Sequence, residues 1–556
     1  METPRHNLRR GHWLIPELWH GGLRWLCLFW TTAMMAHAAA ADPEPSVSAP
    51  FYDPDVVQEI RVTIEPADLL RMRNALPERV YVPGTLQWNG LVLRNIGIRY
   101  KGDSSSSPDQ RHKRGYLIKI NEYEKGARFL GLRRISLDNG IQFGGLFSEP
   151  IITKILRERN IPASRCNHAR LYLNDRYQGV YVNVERIDES FIKSRFGSPI
   201  GQLYKVEGGP ASNLGYVGND PANYRNAFEP KTDQADQGYA ELIKFIGGIA
   251  PGDSTVNAQP LESMFALDDF LQTMAVMLYA GAFDQLTGWS PHNYYLYRHP
   301  KTGRWHFIPW DLDVGFADHA FGKVPVIDGW NAAWPIPEGP SNPLLERIVD
   351  DPALLARYRV IADRILEDRF RPEQLHPKLD ALHARIANDL SRDPHPPGRI
   401  TVPTDRSHAD VIKSIKSFIE SRYALARSQL DNPGSRPPRT RPTQPDPENQ
   451  SPRPGTMDGA PSNLKIVRRD SGGIQLTWKD NAHGEIAHIV QRTDGTASNT
   501  FFNHIGMQGD TVTGATDTAV APGATYRYRV YAVFPTRSGP GGSRPSDAVT
   551  SAPPPR

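Results

Sequence analysis

Hydrophobic and polar positions change period along this chain, and each change marks out a part. From residue 51 to 100 the pattern alternates as in strands. Ile60, Val62 and Ile64 share one face. Val80-Tyr81-Val82, Thr85-Leu86-Gln87-Trp88, Val92-Leu93 and Ile96-Gly97-Ile98-Arg99-Tyr100 continue the pattern, with a short helix, Pro66 to Asn74, interposed. Asn89-Gly90 predicts a two-residue hairpin. Gly115 to Ile120 predicts another strand, with charged Lys119 between two apolar residues, either snorkelling at an edge or reaching a phosphate. Ile151, Ile152, Ile155 and Leu156 then predict a helix from Ser148, as N-cap, to about Asn160, with Pro150 in its first turn. Two strands follow, His168 to Leu173 and Gly179 to Glu185, around a turn at Asn174-Asp175, and Arg186 to Ser194 reads as helix. Residues 201–235 are rich in Gly, Pro and Asn and read as a long loop, apart from Gln202 to Lys205.

At Leu267 the period becomes helical. Leu267, Phe270, Leu271, Met274, Met277 and Leu278 recur at three and four, and Ala275, Val276 and Ala280 leave little face for water, so a central buried helix is expected. A hairpin follows whose second strand, Trp305 to Trp310, is apolar on both sides apart from His306. Leu354 to Glu367, Pro372 to Leu390 and Asp410 to Leu430 predict a helical lobe. Residues 432–460 read as a Pro-rich linker. Residues 461–552 carry short alternating runs between Gly, Pro and Asp turns, which suits a small all-β sandwich.

The first 41 residues stand apart. Arg9, Arg10 and Arg24 precede an apolar run, Trp25 to Met35, and then small residues, Ala36 to Ala41 around His37. That is the pattern of a signal peptide, with an uncleaved N-terminal anchor as the alternative. The run is short for a membrane span, which needs about 20 apolar residues. The chain is therefore expected to be exported: periplasmic, at the cell surface or secreted.

Composition narrows the function. Charge is nearly balanced, 65 Lys+Arg against 61 Asp+Glu, which excludes nucleic-acid binding driven by bulk charge. With 11 Trp and 21 Tyr the chain is expected to fold. Cys27 and Cys166 are the only cysteines, too few for a Cys-based zinc site.

The candidate chemistry lies in three places. Phe283 to Phe316 holds Asp284, the pair His292-Asn293, and Asp311 and Asp313 after the hairpin; acids and amides arriving from two sides suit a hard cation such as Mg²⁺. If the extended conformation persists past Trp310, Asp311 and Asp313 point to one side. The turn Lys101-Gly102-Asp103-Ser104-Ser105 offers N–H groups and hydroxyls to phosphate oxygens, or is a plain solvated turn. Glu149, early in its helix, either complements the helix dipole or pairs with a lysine.

Six blocks in order resemble the CotH (spore-coat H) family of atypical protein kinases: Ile98 to Ser105, Arg170 to Asn174, Gly179 to Asp188, Gln202 to Lys205, His292 to Tyr297 and Trp305 to Asp313. The resemblance spans about residues 51–431. Leu476-Thr477-Trp478, Asp517-Thr518 and Tyr526 to Val530 resemble a fibronectin type III module, which speaks of adhesion or spacing rather than chemistry. The fold implied is α+β, a two-lobed kinase-like domain followed by the sandwich.

The resemblance implies an exported kinase that transfers the ATP γ-phosphoryl group, with Mg²⁺ or Mn²⁺, to Ser/Thr hydroxyls of a secreted or surface protein. By it, Gly102, Ser104 and Ser105 cover phosphates. Lys119 contacts them, paired with Glu149, although Lys101 and Lys113 compete for that role. Asp284 accepts the hydroxyl proton, and Asn293, Asp311 and Asp313 hold the metal. The C-terminal module would meet a surface protein or glycan; no nucleic acid is implied, and a membrane only if the leader is retained. Two departures stand out. Asp103 occupies a place where the family usually has Asn, and Asp284 precedes Asn293 by nine residues where ordinary kinases have five. The alternative is a non-catalytic adhesion or assembly protein on the same fold; phosphorylation of a small hydroxyl compound is a third reading.

Overall fold

The computed structural model describes residues 47–435 and 458–551 apart from 103–105, 107–112, 199, 210, 250–259, 289–290, 321–323, 326–329, 337–341, 400, 403, 471–472, 486, 495–501, 509–511, 518–519, 521–523 and 537–538. The expected leader, most of the linker, and Ser104 and Ser105 of the phosphate turn lie outside the described residues.

Seven strands close into a barrel: β1 (Gln58–Thr63), β2 (Val82–Trp88), β3 (Leu91–Lys101), β4 (Gly115–Lys119), β5 (Arg134–Asp138), β6 (Cys166–Leu173) and β7 (Arg176–Val184). Their order is β1-β2-β3-β4-β5-β7-β6. Closure comes from parallel pairing of β1 with β6, Ile60 opposite Leu171. The alternation of Ile60 and Val62 against Glu59 and Arg61 places one face inside, where Ile98, Tyr100, Tyr116, Ile118, Leu137 and Tyr181 complete the filling. The predicted Asn89-Gly90 turn joins β2 to β3, with φ of 43° and 78°. The predicted short helix is α1 (Pro66–Asn74).

Helix α2 (Gly145–Glu158) packs against the outer faces of β6 and β7, where Val180, Val182 and Val184 join Ile151, Ile152 and Ile155 in a second core. It begins three residues before the expected start, so Ser148 is not its cap. Pro150 lies inside it, without the N–H that would reach the Leu146 carbonyl. His168 Nε2 donates to that carbonyl instead, at 2.7 Å, and burial pushes its imidazole down to about 4, so the ring stays neutral.

After α3 (Glu189–Phe196), capped by Asp188 and so later than expected, the supposed loop carries structure. It forms β8 (Gln202–Val206), α4 (Ala222–Arg225), β9 (Phe228–Pro230) and α5 (Asp233–Gln237). Next come α6 (Tyr239–Ile249), α7 (Leu261–Met264) and α8 (Leu267–Ala280). Eleven residues of α8 are buried, as its pattern predicts, and Gly281 ends it at φ 65°. Strands β10 (Tyr294–Arg298) and β11 (Trp305–Pro309) complete a sheet ordered β11-β10-β8-β9. A two-residue pair, β12 (His319–Ala320) and β13 (Val324–Pro325), precedes α9 (Pro343–Asp350), α10 (Pro352–Arg369), α11 (Pro372–Leu390) and α12 (His408–Asp431).

Two stitches tie the connection between α11 and α12 to the rest of the fold. Lys113, its side chain wholly buried, donates to the Val180 carbonyl and to Asp393 after α11 at 2.7 Å. A Cβ at Gly179 (φ +105°) would fall 2.2 Å from the Asp393 carboxylate, so the approach requires glycine. Arg399, in the same connection, bonds the carbonyls of Phe143, Gly315 and Phe316.

Beyond the linker lie a three-stranded sheet, β14 (Ser462–Asp470), β15 (Gly473–Lys479) and β18 (Gly514–Asp517), and a five-stranded one. The latter holds β16 (Ala487–Asp494), β17 (Phe502–Gln508), β19 (Tyr526–Thr536), β20 (Gly539–Gly542) and β21 (Val549–Ser551). Leu464, Leu476 and Trp478 from the first meet Val490, Tyr528 and Val530 from the second in one core.

Candidate functional site

Four elements deliver acids to one place beside the barrel. The lysine among them is Lys101, at the end of β3. Its ammonium is in direct contact with Asp138 Oδ2 at the end of β5, and 3.8 Å from Asp311 Oδ1 after β11. Burial opposes this charge, but Asp138, Asp311 and Glu149 outweigh it and hold the ammonium above its ordinary value. Trp310 lies 5.9 Å from the same ammonium and 4.5 Å from the Arg186 guanidinium.

Lys119 does not reach this cluster, which corrects the expected pairing with Glu149. In the β3–β4 ladder Lys101 faces Gly115 and Gly97 faces Lys119. The two lysines therefore share the outer face but sit four residues apart along the ladder, roughly 13 Å at strand spacing. Lys119 bonds Glu122 at 2.5 Å and lies 5.5 Å from the Tyr81 ring. Lys113, the other competitor, is used up in the stitch to Asp393.

Glu149 projects from the second turn of α2 and is 2 % exposed, so it is not a solvated partner of the helix dipole. Its carboxyl takes the Leu312 N–H, while its Oε2 is buried without a hydrogen-bond partner. Burial first, then the charges of Asp138 and Asp311, push it well above the usual carboxylate range, against Lys101. Asp313 is likewise pushed well above that range by burial and by Asp311, Asp138 and Glu149. Asp311 keeps 34 % of its side chain exposed; burial raises it, Lys101 lowers it and Asp138 raises it again.

The extended conformation does not persist past Trp310. Asp311 has φ +58°, and a turn carries the chain to Asp313, whose carbonyl accepts from Ser148 Oγ at 2.7 Å. Asn293, at the start of β10, has φ +57°. Asn and Asp bear this conformation better than other residues with a Cβ, and such strain gathers at functional sites. Asn293 and Asp311 flank the open end of one hairpin, tied by the Trp310 N–H on the Asn293 carbonyl.

Asp284 completes the group. Its Oδ2 accepts from Asn293 Nδ2 at 3.0 Å, and His292 Nε2 lies 3.3 Å from its Oδ1. Gln285 Nε2 donates to the Trp310 carbonyl at 2.8 Å, so the loop after α8 is tied to the approach to Asp311. The nine-residue interval between Asp284 and Asn293 is thus spanned by a loop whose ends meet. The structure brings Asp284, Asn293, Asp311, Asp313 and Glu149 together; Gly102, at φ +89°, turns the chain immediately after Lys101. Asp138 and Lys101 complete the cluster. Asp138 had a sequence signal, an Asp-Asn-Gly end to the alternating Ile135 and Leu137.

Four carboxylates around one ammonium are short of positive charge, and the orphaned Glu149 Oε2 faces no donor. A divalent cation fits that deficit. Among the described residues no three His, Cys, Asp or Glu side chains converge on one ligating point. A Mg²⁺ ion bound here would take one or two protein oxygens and complete its shell from phosphate oxygens and water, its ordinary habit.

The CotH kinase protein family matches residues 98–425. Inner spore coat protein H of Bacillus subtilis (strain 168) is 23% identical over 337 residues, covering 60% of this chain and 87% of that protein. Among solved structures, a myokine is matched at 16% identity and TM-score 0.15, over 19% of this chain and 99% of its own. A fibronectin type III domain of human collagen XX is matched at 16% identity and TM-score 0.15, over 18% and 99%.

Proposed function

Because the chain belongs to the CotH kinase protein family, we propose that it is a two-lobed, exported kinase that phosphorylates Ser/Thr hydroxyls of a surface protein from ATP and Mg²⁺. The observation that carries this is the Lys101 cluster: one ammonium held among Asp138, Asp311 and Glu149, beside the Asp284–Asn293 pair. A bound Mg²⁺ would neutralise phosphate charge during transfer. The residues that would hold it are Asp311 and Asn293, with Asp313 behind them.

The protein's own groups do the rest by position. Lys101 directs an ammonium toward phosphate oxygens, and Asp138 and Glu149 hold it there. Asp284 accepts the proton of the acceptor hydroxyl, its carboxylate aimed by Asn293 and His292. The shared core between the C-terminal sheets supports a β-sandwich that spaces or docks the enzyme, meeting a surface protein or glycan. A surface location also agrees with the spore-coat relative.

Full-length protein incubated with ATP, Mg²⁺ or Mn²⁺ and a Ser-rich acceptor should incorporate phosphate into itself or the acceptor. Absence of both transfer and metal-dependent ATP binding would favour the assembly-protein reading.

A further inference from the structure

Arg399 lies outside every block that resembles the family, yet it touches two segments of the site's frame. It is 2 % exposed and sits in the connection between α11 and α12. Its Nε donates to the Phe143 carbonyl at 3.2 Å, just before α2. Its Nη2 donates to the carbonyls of Gly315 at 3.1 Å and Phe316 at 2.6 Å, just after Asp313. Its Nη1 pairs with Asp405 Oδ2 at 3.1 Å, and Asp405 Oδ1 accepts from Ser414 in α12. Packing is close: a Cβ on Gly144, which precedes α2 at φ +85°, would meet Arg399 Nε at 2.9 Å, and one on Gly145 would meet Asp313 Cβ at 2.8 Å.

We propose that Arg399 is a positioning residue that sets the distance between α2, which carries Glu149, and the turn that carries Asp311 and Asp313. A planar fork suits this because one guanidinium addresses three carbonyls in fixed directions, which an ammonium on a flexible stem does not. The other ties across the same gap are local: Ser148 Oγ to the Asp313 carbonyl, and the Leu312 N–H to Glu149. Arg399 anchors them to the helical lobe through Asp405. The effect on transfer rests on the nucleotide-site reading above; the effect on the frame does not.

The test compares Arg399→Lys with Arg422→Lys in the full chain. Arg422 is equally buried and donates to the carbonyls of Leu278 and Trp330, in neither of the two segments that Arg399 ties, so it controls for loss of any buried guanidinium. Two readouts are taken, the Mg²⁺ concentration at half-maximal phosphate transfer and hydrogen exchange of the amides at 144–149 and 311–316. Arg399→Lys should raise the half-maximal Mg²⁺ by about tenfold, with rate largely recovered at high Mg²⁺, as outer-shell supports of metal sites do. Both amide segments should lose protection together. Arg422→Lys should leave the Mg²⁺ dependence within about twofold, since it shares no hydrogen-bond partner with Arg399. Asp405→Asn, a milder loosening, should shift both readouts in the same direction. Equal Mg²⁺ shifts in the Arg399 and Arg422 variants, or unchanged protection at either segment, overturn the proposal. If the unmodified protein transfers no phosphate, the kinase reading falls, and the exchange data alone decide whether Arg399 sets the frame.

Discussion

Two lysines close to each other in sequence, one buried and one partly exposed, show how differently one residue type can be used. Lys113 has one acid, Asp393, a backbone carbonyl and the face of Tyr181 at 4.4 Å. Its needs are met, and burial still pushes its ammonium down to about 8 against Asp393. Lys101 has more acid than it can match: Asp138 in contact, Asp311 at 3.8 Å, and Glu149 and Asp313 behind them. The first is a closed account of charge that welds two parts of the chain. The second leaves acids that must either keep protons or meet a further cation, and that is where a metal, and a nucleotide through it, would bind.

The comparison can be broken most severely at the metal side. Asp311→Ala should abolish Mg²⁺-dependent ATP binding in a thermal-shift titration, while Asp284→Asn keeps binding and loses transfer. Lys101→Met should lower transfer by about 10²–10³-fold, as loss of one group aimed at developing charge does, with the fold intact by circular dichroism. Lys113→Met should do the opposite. Removing one partner of a buried pair costs about 3–5 kcal/mol, read as a lower denaturant midpoint, yet the folded fraction should keep its Mg²⁺ dependence.

A smaller effect sharpens the account of Glu149. Its carboxyl is raised in the folded chain above the unfolded value of about 4.3. The folded state therefore keeps a proton that the unfolded chain releases, so this contribution to stability is full below the unfolded value and falls as pH rises through the raised one. Measured without metal from the unfolded value upward, stability should fall with rising pH less steeply in Glu149→Gln than in the unmodified protein, by up to about 1.4 kcal/mol per pH unit. His168, His306 and His408, each pushed down to about 4 chiefly by burial, cost stability as pH falls below their unfolded value, but they do so in both proteins alike, so the difference in slope belongs to Glu149. Equal slopes in the two proteins would contradict a carboxyl raised by burial and by the neighbouring acids. The smallest effect belongs to Lys119→Met, which should leave transfer within about twofold, since its partner is Glu122 and not an acid of the cluster.

Local pattern carried much of this fold. The all-round apolar face of α8, the strand alternation before residue 100 and the Asn89-Gly90 turn were legible because each depends on neighbours in sequence. Barrel closure was not, since the pairing of β1 with β6 joins residues more than a hundred positions apart. For the site, Asp284, Asn293, Asp311 and Asp313 stood out because they cluster around one hairpin. The lysine was misplaced for a physical reason. Strand parity says which face a residue occupies, and Lys101 and Lys119 share a face; only the register separates them along the strand. Ser148 looked like a cap because Pro150 suggests a first turn, whereas His168 supplies the donor that lets the helix start earlier. Arg399 had no local signal, because its three carbonyl partners come from two distant segments.

The most direct measurement is phosphate transfer from ATP by the full chain with Mg²⁺, comparing the unmodified protein with Lys101→Met and Lys119→Met. The account predicts transfer by the unmodified protein and by Lys119→Met, and its loss in Lys101→Met. Loss in Lys119→Met with retention in Lys101→Met, or no transfer by the unmodified protein with either Mg²⁺ or Mn²⁺, would contradict it.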